Sequence, residues 1–367
     1  MSTRLSIHLE NLDALPDDQF QALLLEGVSR TFALTIPQLP KPVCQVVANG
    51  YLLCRIVDTI EDEATLDHTT KRHFCEQFIR VTQGEADPAE FSSALAPLLS
   101  QQTLPAEHEL IRQVPRVIAI THSFAPADRK ALVLCIDIMS QGMAYYQDTD
   151  LHAGLKTLAE MNRYCYFVAG VVGEMLTRVF CNYSPVIARH RDQMMALAVS
   201  FGQGLQMTNI LKDIWNDKQR NVCWLPRDIF SACGFDLENL TPGHRDPRFV
   251  EGLNQLIAIA HGHLRNALEY TLLIPDYETG LRDFCLWALG MAVLNLRKIH
   301  QNPYFSHSEE AKISRRSVKA TILTTRLCHR SDALLKGLFH IASMGLPGPA
   351  EAELLDLSSA SMTLIPE

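Results

Sequence analysis

The chain has 367 residues, of which 47% are hydrophobic and 20% charged, with a formal net charge of −8. That balance describes a globular protein with ample material for a large core, and the size prior alone allows two or three domains. The acidic excess argues against a nucleic-acid partner, which needs a basic face. Ten cysteines with no CxxC pair and no regular spacing read as free thiols in a reducing compartment, not as a disulfide framework or a zinc site.

The opening MSTRLSIHLENLD lacks the apolar core of a signal peptide. The most apolar uncharged stretch, Phe284 to Leu296, falls short of the roughly 20 residues that a membrane span needs. The run from Gln193 to Leu211 is longer but is interrupted by polar residues. A soluble, cytoplasmic chain is expected, at most peripheral at a membrane.

Residues 1–16 read as a polar lead-in. Asp17 or Asp18 is placed to cap a helix running to about Gly27, with Phe20, Leu23 and Leu24 on its apolar side. Pro37 and Pro40 exclude a helix through SRTFALTIPQLP. A helix restarts near Pro42, a good first-turn residue, and runs through Tyr51 and Arg55 into DTIED, Asp58 to Asp62. Weaker helical patterns follow over 69–83 and 89–100, separated by the polar QGEADPAE. Long helices are expected over 106–123, 126–147, 157–181 and 187–216, the last ending in DIWND, Asp213 to Asp217. RNVCWLPRDIF reads as a loop. Helical patterns resume over 247–273, 276–302 and 308–345, and Gly345, Pro347 and Pro349 then end regular structure, leaving a loose tail over 346–367. No strand alternation and no internal repeat is evident. The expectation is one all-α domain over 17–345, a helical bundle with short connections.

The two acidic clusters carry the chemistry. Residues four apart share a helix face, so Asp58 and Asp62 point the same way, as do Asp213 and Asp217, with Glu61 on the flank of Asp58. Such pairs repel by roughly 0.2–0.5 kcal/mol on an exposed helix, and a cation between them removes the penalty. Hard oxygen donors suit magnesium, which takes one or two carboxylates and completes its shell with water and substrate phosphate. A solvated helix face is the plain alternative. Both clusters, however, follow apolar runs, YLLCRIV and FGQGLQMTNIL, so they sit at the ends of buried helices. On facing helices they would form a magnesium–diphosphate clamp. Arg55, Lys212 and Arg30 are near enough in sequence to reach diphosphate oxygens as charge-assisted donors, or else to pair with neighbouring carboxylates.

Four segments in this order, SRTF, YLLCRIVDTIED, YCYFVAGVVG and LQMTNILKDIWND, resemble the squalene/phytoene synthase family. The resemblance runs from about Ser29 to Pro226 and more weakly to about residue 325. It implies a single all-α domain of the isoprenoid-synthase type around a central cavity, in which two prenyl diphosphates join head to head. It also implies Mg2+ held by Asp58, Glu61 and Asp62 and by Asp213 and Asp217, with Ser29, Arg30, Arg55, Asn209 and Lys212 on the diphosphates. Tyr164 is implied as the catalytic tyrosine, with Tyr51 and Phe32 as ring faces for a hydrocarbon cation. Tyr166 reads as core. Ala169, Gly170 and Gly173 leave room for a close helix contact or a prenyl tail, and IMSQGMAYY is similar to a cavity-lining helix. One departure stands in the second cluster, where Asn216 replaces the expected Glu.

The C-terminal third is similar to the squalene synthase branch of that family, in FCLWALGMAVLNL and AKISRRSVKA. That implies farnesyl diphosphate as substrate and NADPH as hydride donor, held by Lys312, Arg315, Arg30, Arg55 and Lys212; no GxGxxG fingerprint is present to do so. Ser314 stands where a basic residue is expected, and Val222 replaces an Arg, with Arg220 two residues earlier. A dehydrosqualene or phytoene synthase, which omits the hydride, is the nearest alternative, and a non-catalytic fold relative is a third. The product would be a membrane hydrocarbon, which leaves a transient bilayer contact open. The tail EAELLDLSSASMTLIPE is too short and polar to span, in keeping with a bacterial-type soluble enzyme.

Overall fold

A computed structural model describes residues 12–29, 31–147, 149–243 and 245–350. Among these residues there are helices and turns but no strand, only an isolated bridge between Leu155 and Pro226. The all-α expectation holds. The helices fall into two compact units, residues up to 148 with 178–188, and 149–177 with 189 onward.

The first unit contains α1 (Asp17–Val28), α2 (Lys41–Asp62), α3 (His68–Gln83), α4 (Pro88–Leu95), α5 (Pro105–Arg112), α6 (Val114–Ser123) and α7 (Pro126–Gln147). Its centre is α2, which packs against α1, α3, α5, α6 and α7. Leu52, Leu53, Ile56, Val57 and Ile60 of α2 are buried, and Asn49 ties the same helix to α1 and α6 through Gln21 and Thr121. Buried polar groups of this kind are tolerated because each finds a partner.

The second unit is built on α9 (Arg191–Gln219), which lies against α11 (Pro247–Leu272) and α12 (Thr279–Gln301). Before α9 the chain forms α8 (Leu158–Tyr183), interrupted by a π turn over Tyr166–Gly170. The α9 backbone crosses that turn closely. A Cβ on Gly202 would overlap the Ala169 carbonyl, and one on Gly173 would overlap the Ala198 carbonyl. The small residues of AGVVG therefore serve helix–helix packing, and Tyr166 is core, as read from sequence. The unit closes with α10 (Arg227–Ala232), α13 (Arg315–Cys328) and α14 (Asp332–Ser343).

Several boundaries differ from expectation for identifiable reasons. Asp17 and Asp18 do not cap α1; Pro16 precedes it and the two acids occupy the first turn, where they suit the helix dipole. The span 106–123 is two helices, because Pro115 cannot continue α5 and instead sits in the first turn of α6. Part of RNVCWLPRDIF is helical, as α10. The expected helix over 308–345 is broken, with Ser314 and Ser331 capping α13 and α14. Residues 1–11 and 351–367, most of the expected lead-in and tail, lie outside the described residues.

Two helices, Lys41–Asp62 and Leu158–Tyr183, have the length and mean hydropathy of a membrane span, although the sequence reading had singled out neither. The apolar windows are 72% and 67% buried inside the protein, as core helices are.

One buried titratable group links this packing to pH. Ser200 of α9 accepts from Asn266 Nδ2 at 3.0 Å, and its hydroxyl is directed to His263 Nδ1 of α11 at 2.8 Å. Burial pushes the pKa of His263 down to about 4, so the folded ring is neutral at neutral pH. The unfolded chain binds this proton near pH 6.5 and the folded chain does not, so stability rises with pH across that window. Lowering the pH from about 6.5 to about 4 is expected to remove about 3 kcal/mol of folding stability through this residue. Urea unfolding of the wild type and His263→Gln across that range checks it, the variant showing the shallower pH dependence.

Candidate active site

Two acidic clusters lie at the C-terminal ends of the two central helices. In the first, Asp58 stands one turn after Arg55 and one turn before Asp62, as the helical spacing requires. The Asp58 carboxyl is pushed up to about 6 by desolvation foremost; Arg55 opposes the rise, while Asp62 and Glu107 add to it. A carboxylate in that position is short of positive charge.

Arg55 is placed to supply some of it, and is itself underemployed. Its Nη2 donates to Tyr51 Oη at 3.1 Å. Its Nη1 lies 3.7 Å from both Asp58 Oδ2 and Glu107 Oε1, too far for a good hydrogen bond. Its Nε is buried without a partner. Burial works against the charge, yet Asp58, Tyr51 and Glu107 outweigh it and raise the pKa. The guanidinium is thus charged, aimed at carboxylates, and has donors to spare for an anion.

Phe32 and Tyr51 pack ring against ring with centroids 5.1 Å apart. Ser29 Oγ accepts from the Phe32 amide at 3.0 Å and so orders the turn that holds that ring. Arg30 lies outside the described residues.

Three residues at this end escaped the sequence reading. Glu107, at the start of α5, uses one oxygen on the Leu104 amide and turns the other toward Arg55. Lys71 of α3 donates to the Glu61 carbonyl, and burial lowers its pKa despite three nearby acids. Glu63, directly after α2, is buried and accepts from Thr103 Oγ1 at 2.6 Å, Ser100 N at 2.8 Å, Thr65 Oγ1 at 2.8 Å and Thr65 N at 3.0 Å. Burial alone would raise its pKa; these four donors, Thr103 first, hold it down at about 2. DTIEDE therefore contains acids of two kinds, and Glu63 is a structural anchor, not a ligand.

In the second cluster, on α9, Lys212 Nζ bridges Asp213 Oδ2 at 2.7 Å and Asn209 Oδ1 at 3.2 Å. Asp213 Oδ1 is buried with no partner. Asp217, one turn on, is paired at 2.9 Å with Arg220, two residues before Val222. Asn216, the departure from the expected Glu, is exposed.

Tyr164 is buried and stacked on Trp224, with centroids 3.7 Å apart and planes 12° from parallel. Trp224 is held there by a backbone clasp: Cys223 N donates to Leu151 O, Leu155 N to Leu225 O and Arg227 N to Leu155 O, all within 3.0 Å. Gly154 lets the clasp close. Its φ is +101° and a side chain would come 2.6 Å from the Leu225 carbonyl. The WLP stretch, read as a plain loop, supplies this ring.

The residues expected to hold a nicotinamide cofactor are only partly free. Lys312 Nζ is paired with Glu309 at 2.5 Å. Ser314, where a basic residue was expected, caps α13 by accepting from Ser317 N at 3.1 Å. Arg315 is exposed in the first turn of that helix, where its charge and the helix N-terminus both suit an anion.

Magnesium fits the donor sets. No group of three or more His, Cys, Asp or Glu among the described residues forms a closed metal cage. Magnesium does not need one, since it binds through one or two carboxylates and keeps its other positions for water and phosphate. The unpartnered Asp213 Oδ1 and the charge-starved Asp58 are oxygen donors of that kind.

An all-α fold with paired aspartate clusters at helix ends is that of the isoprenoid-synthase type. The squalene/phytoene synthase profile matches residues 25–317, and the chain belongs to that family. It is 30% identical over 314 residues to the squalene synthase of Candida albicans, an alignment that covers 83% of this chain and 66% of that one. With the squalene synthase of Saccharomyces cerevisiae it shares 28% identity, again over 83% and 66%. The chain thus spans slightly less than two thirds of the length of these relatives. Among solved structures, TcSQS with the ligand BPH1237 superposes with a TM-score of 0.69 at 21% identity, over 89% of this chain and 97% of that one. A dehydrosqualene synthase in complex with a ligand gives 0.63 at 19% identity, over 85% and 95%. These likenesses confirm the fold.

Because Glu63 satisfies two backbone amides and two hydroxyls at the end of α2, Glu63→Ala is expected to destabilise the protein by about 2–4 kcal/mol. Chemical denaturation reads this directly; a loss below about 0.5 kcal/mol, the size of an ordinary surface change, would show that Glu63 is not an anchor.

Proposed function

We propose that the protein is a prenyltransferase that joins two farnesyl diphosphates head to head through presqualene diphosphate, and then reduces that intermediate with NADPH to squalene. The observation that carries this reading is the pairing of each acidic cluster with its own cation in a chain of this family: Arg55 beside Asp58 and Lys212 against Asp213.

Asp58, Asp62 and Glu61 are the proposed magnesium ligands of the first cluster, and Asp213 and Asp217 those of the second. Bound magnesium would neutralise the departing diphosphate as its negative charge builds. The spare donors of Arg55 and the ammonium of Lys212 are proposed contacts for diphosphate oxygens, as are Ser29, Arg30 and Asn209. The aromatic faces of Phe32, Tyr51 and Tyr164 shield the allylic and cyclopropylcarbinyl cations from water and stabilise them by about 0.5–2 kcal/mol per contact. Tyr164 is the catalytic tyrosine of this reading, its ring angle fixed by the stack on Trp224. Arg315 and Lys312, with Arg30, Arg55 and Lys212, are the proposed NADPH contacts.

A second reading omits the reduction and gives dehydrosqualene. The Lys312–Glu309 pair and the capping role of Ser314 favour it, since both leave less cationic surface for the cofactor.

Gas chromatography–mass spectrometry of the hydrocarbon made from farnesyl diphosphate, magnesium and NADPH separates the two. Squalene is expected, and a product unchanged by NADPH would overturn the reductive half. Asp58→Asn and Asp213→Asn are each expected to lower condensation by about 100-fold or more. Full activity in either would remove the metal assignment.

A further inference from the structure

The hairpin of α13 and α14 has a composition unlike the rest of the chain. Residues 312–344 contain seven Lys and Arg against a single acid, Asp332, in a protein whose net charge is −8. Arg316, Lys319, Leu323 and Leu327 recur at helical spacing on one face of α13, Arg330 lies in the turn just after it, and all are exposed. Leu323 is 63% and Leu327 76% exposed. On α14, Leu334 and Ile341 are likewise more than half exposed, as is Met344 just beyond it. Five large apolar side chains on one hairpin exceed the scattered exposed leucines of an ordinary surface. Among the described residues, Arg315, Arg316, Lys319 and Arg330 have no acidic partner.

Behind this face lies a groove of about 380 Å³ between α12, α13 and α14. Leu286, Leu289 and Val293 line one wall, and Leu335, Leu338 and Phe339 another. The threonines of α13 add methyl groups, because Thr321, Thr324 and Thr325 turn their hydroxyls back to carbonyls of their own helix. Ile341 belongs both to the groove and to the exposed face. Arg297 also lines the groove, half-buried and with no hydrogen bond or ion pair among the described residues. A lone guanidinium on an apolar wall suits an anionic amphiphile. A groove of this size has room for part of a hydrocarbon chain.

We propose that the α13–α14 hairpin is a docking surface for an anionic lipid bilayer. The leucines and Met344 enter the headgroup boundary, Arg316, Lys319 and Arg330 reach lipid phosphates, and the groove with Arg297 accepts one acyl chain. Charge complementarity selects this occupant: the rest of the acidic chain is repelled by such a surface, so the basic hairpin also sets the orientation. The proposal is independent of the reaction assigned above, since lipid binding is read without substrate.

The test is flotation of the full chain with vesicles of phosphatidylcholine alone or with about a third phosphatidylglycerol. Binding to the anionic vesicles is expected to be at least about 10-fold tighter and to weaken with salt. The double variants Leu323→Gln/Leu327→Gln and Lys319→Glu/Arg330→Glu are each expected to lose about 10-fold or more, while keeping the wild-type melting temperature and farnesyl diphosphate consumption. Equal binding to both vesicles, no binding, or folded variants that bind like the wild type would overturn the proposal. So would a wild-type dimer in sedimentation that the leucine variant converts to monomer without any vesicle binding, because the face would then cover a second copy of the chain.

Discussion

Like charges placed one helical turn apart at the end of a buried helix set the terms for the first site. The α2 helix is anchored by its apolar face, so Asp58 cannot swing away from Asp62, and desolvation lifts its pKa. The protein answers in two ways. Arg55 and Lys71 bring positive charge close without closing tight pairs, and Glu63 takes up the donors of the following loop, so that the helix end does not fray. The result is an end that is rigid but electrostatically incomplete. Incompleteness of that kind suits a site whose last component is a metal-bound anion.

The second cluster meets the same demand through backbone packing. Gly173 and Gly202 let α8 and α9 approach until only a hydrogen fits between one helix and the other's carbonyl. A helix held that closely presents Asn209, Lys212, Asp213 and Asp217 in fixed register. The same crossing fixes the π turn just after Tyr164, and the 151–155 clasp then brings Trp224 onto the tyrosine ring. Ring orientation there is over-determined from two directions.

Much of this was legible in the sequence, for a physical reason. The four-residue spacing of Asp58 and Asp62 and of Asp213 and Asp217 is local, and a helix converts local spacing into a shared face. Apolar periodicity likewise marked most helices. Partners contributed from elsewhere in the chain were not legible: Glu107 is 52 residues from Arg55, and Trp224 is 60 residues from Tyr164, in a stretch that looked like a loop. Residue type alone does not set Glu63 apart from the acids before it, because burial and hydrogen bonding separate an anchor from a ligand. The breaks at Pro115 and Ser314 could have been read from capping and proline rules; long apolar periodicity across them outweighed those signals.

Ser314 shows how one residue changes the reading of a neighbourhood. A basic residue there would add charge to the N-terminus of α13. The serine instead spends its hydroxyl on the helix, satisfying the Ser317 amide and strengthening the cap. Lys312 is drawn toward Glu309, and its carbonyl is taken by Lys298. Positive charge at this end is therefore shifted forward, onto Arg315 and Arg316 in the first turn of a capped helix. An arginine there is stiffer and more directional toward a phosphate than a lysine in the preceding loop. The first turn of α13 thus carries two exposed guanidiniums, Arg315 and Arg316, while the loop lysine is held by Glu309.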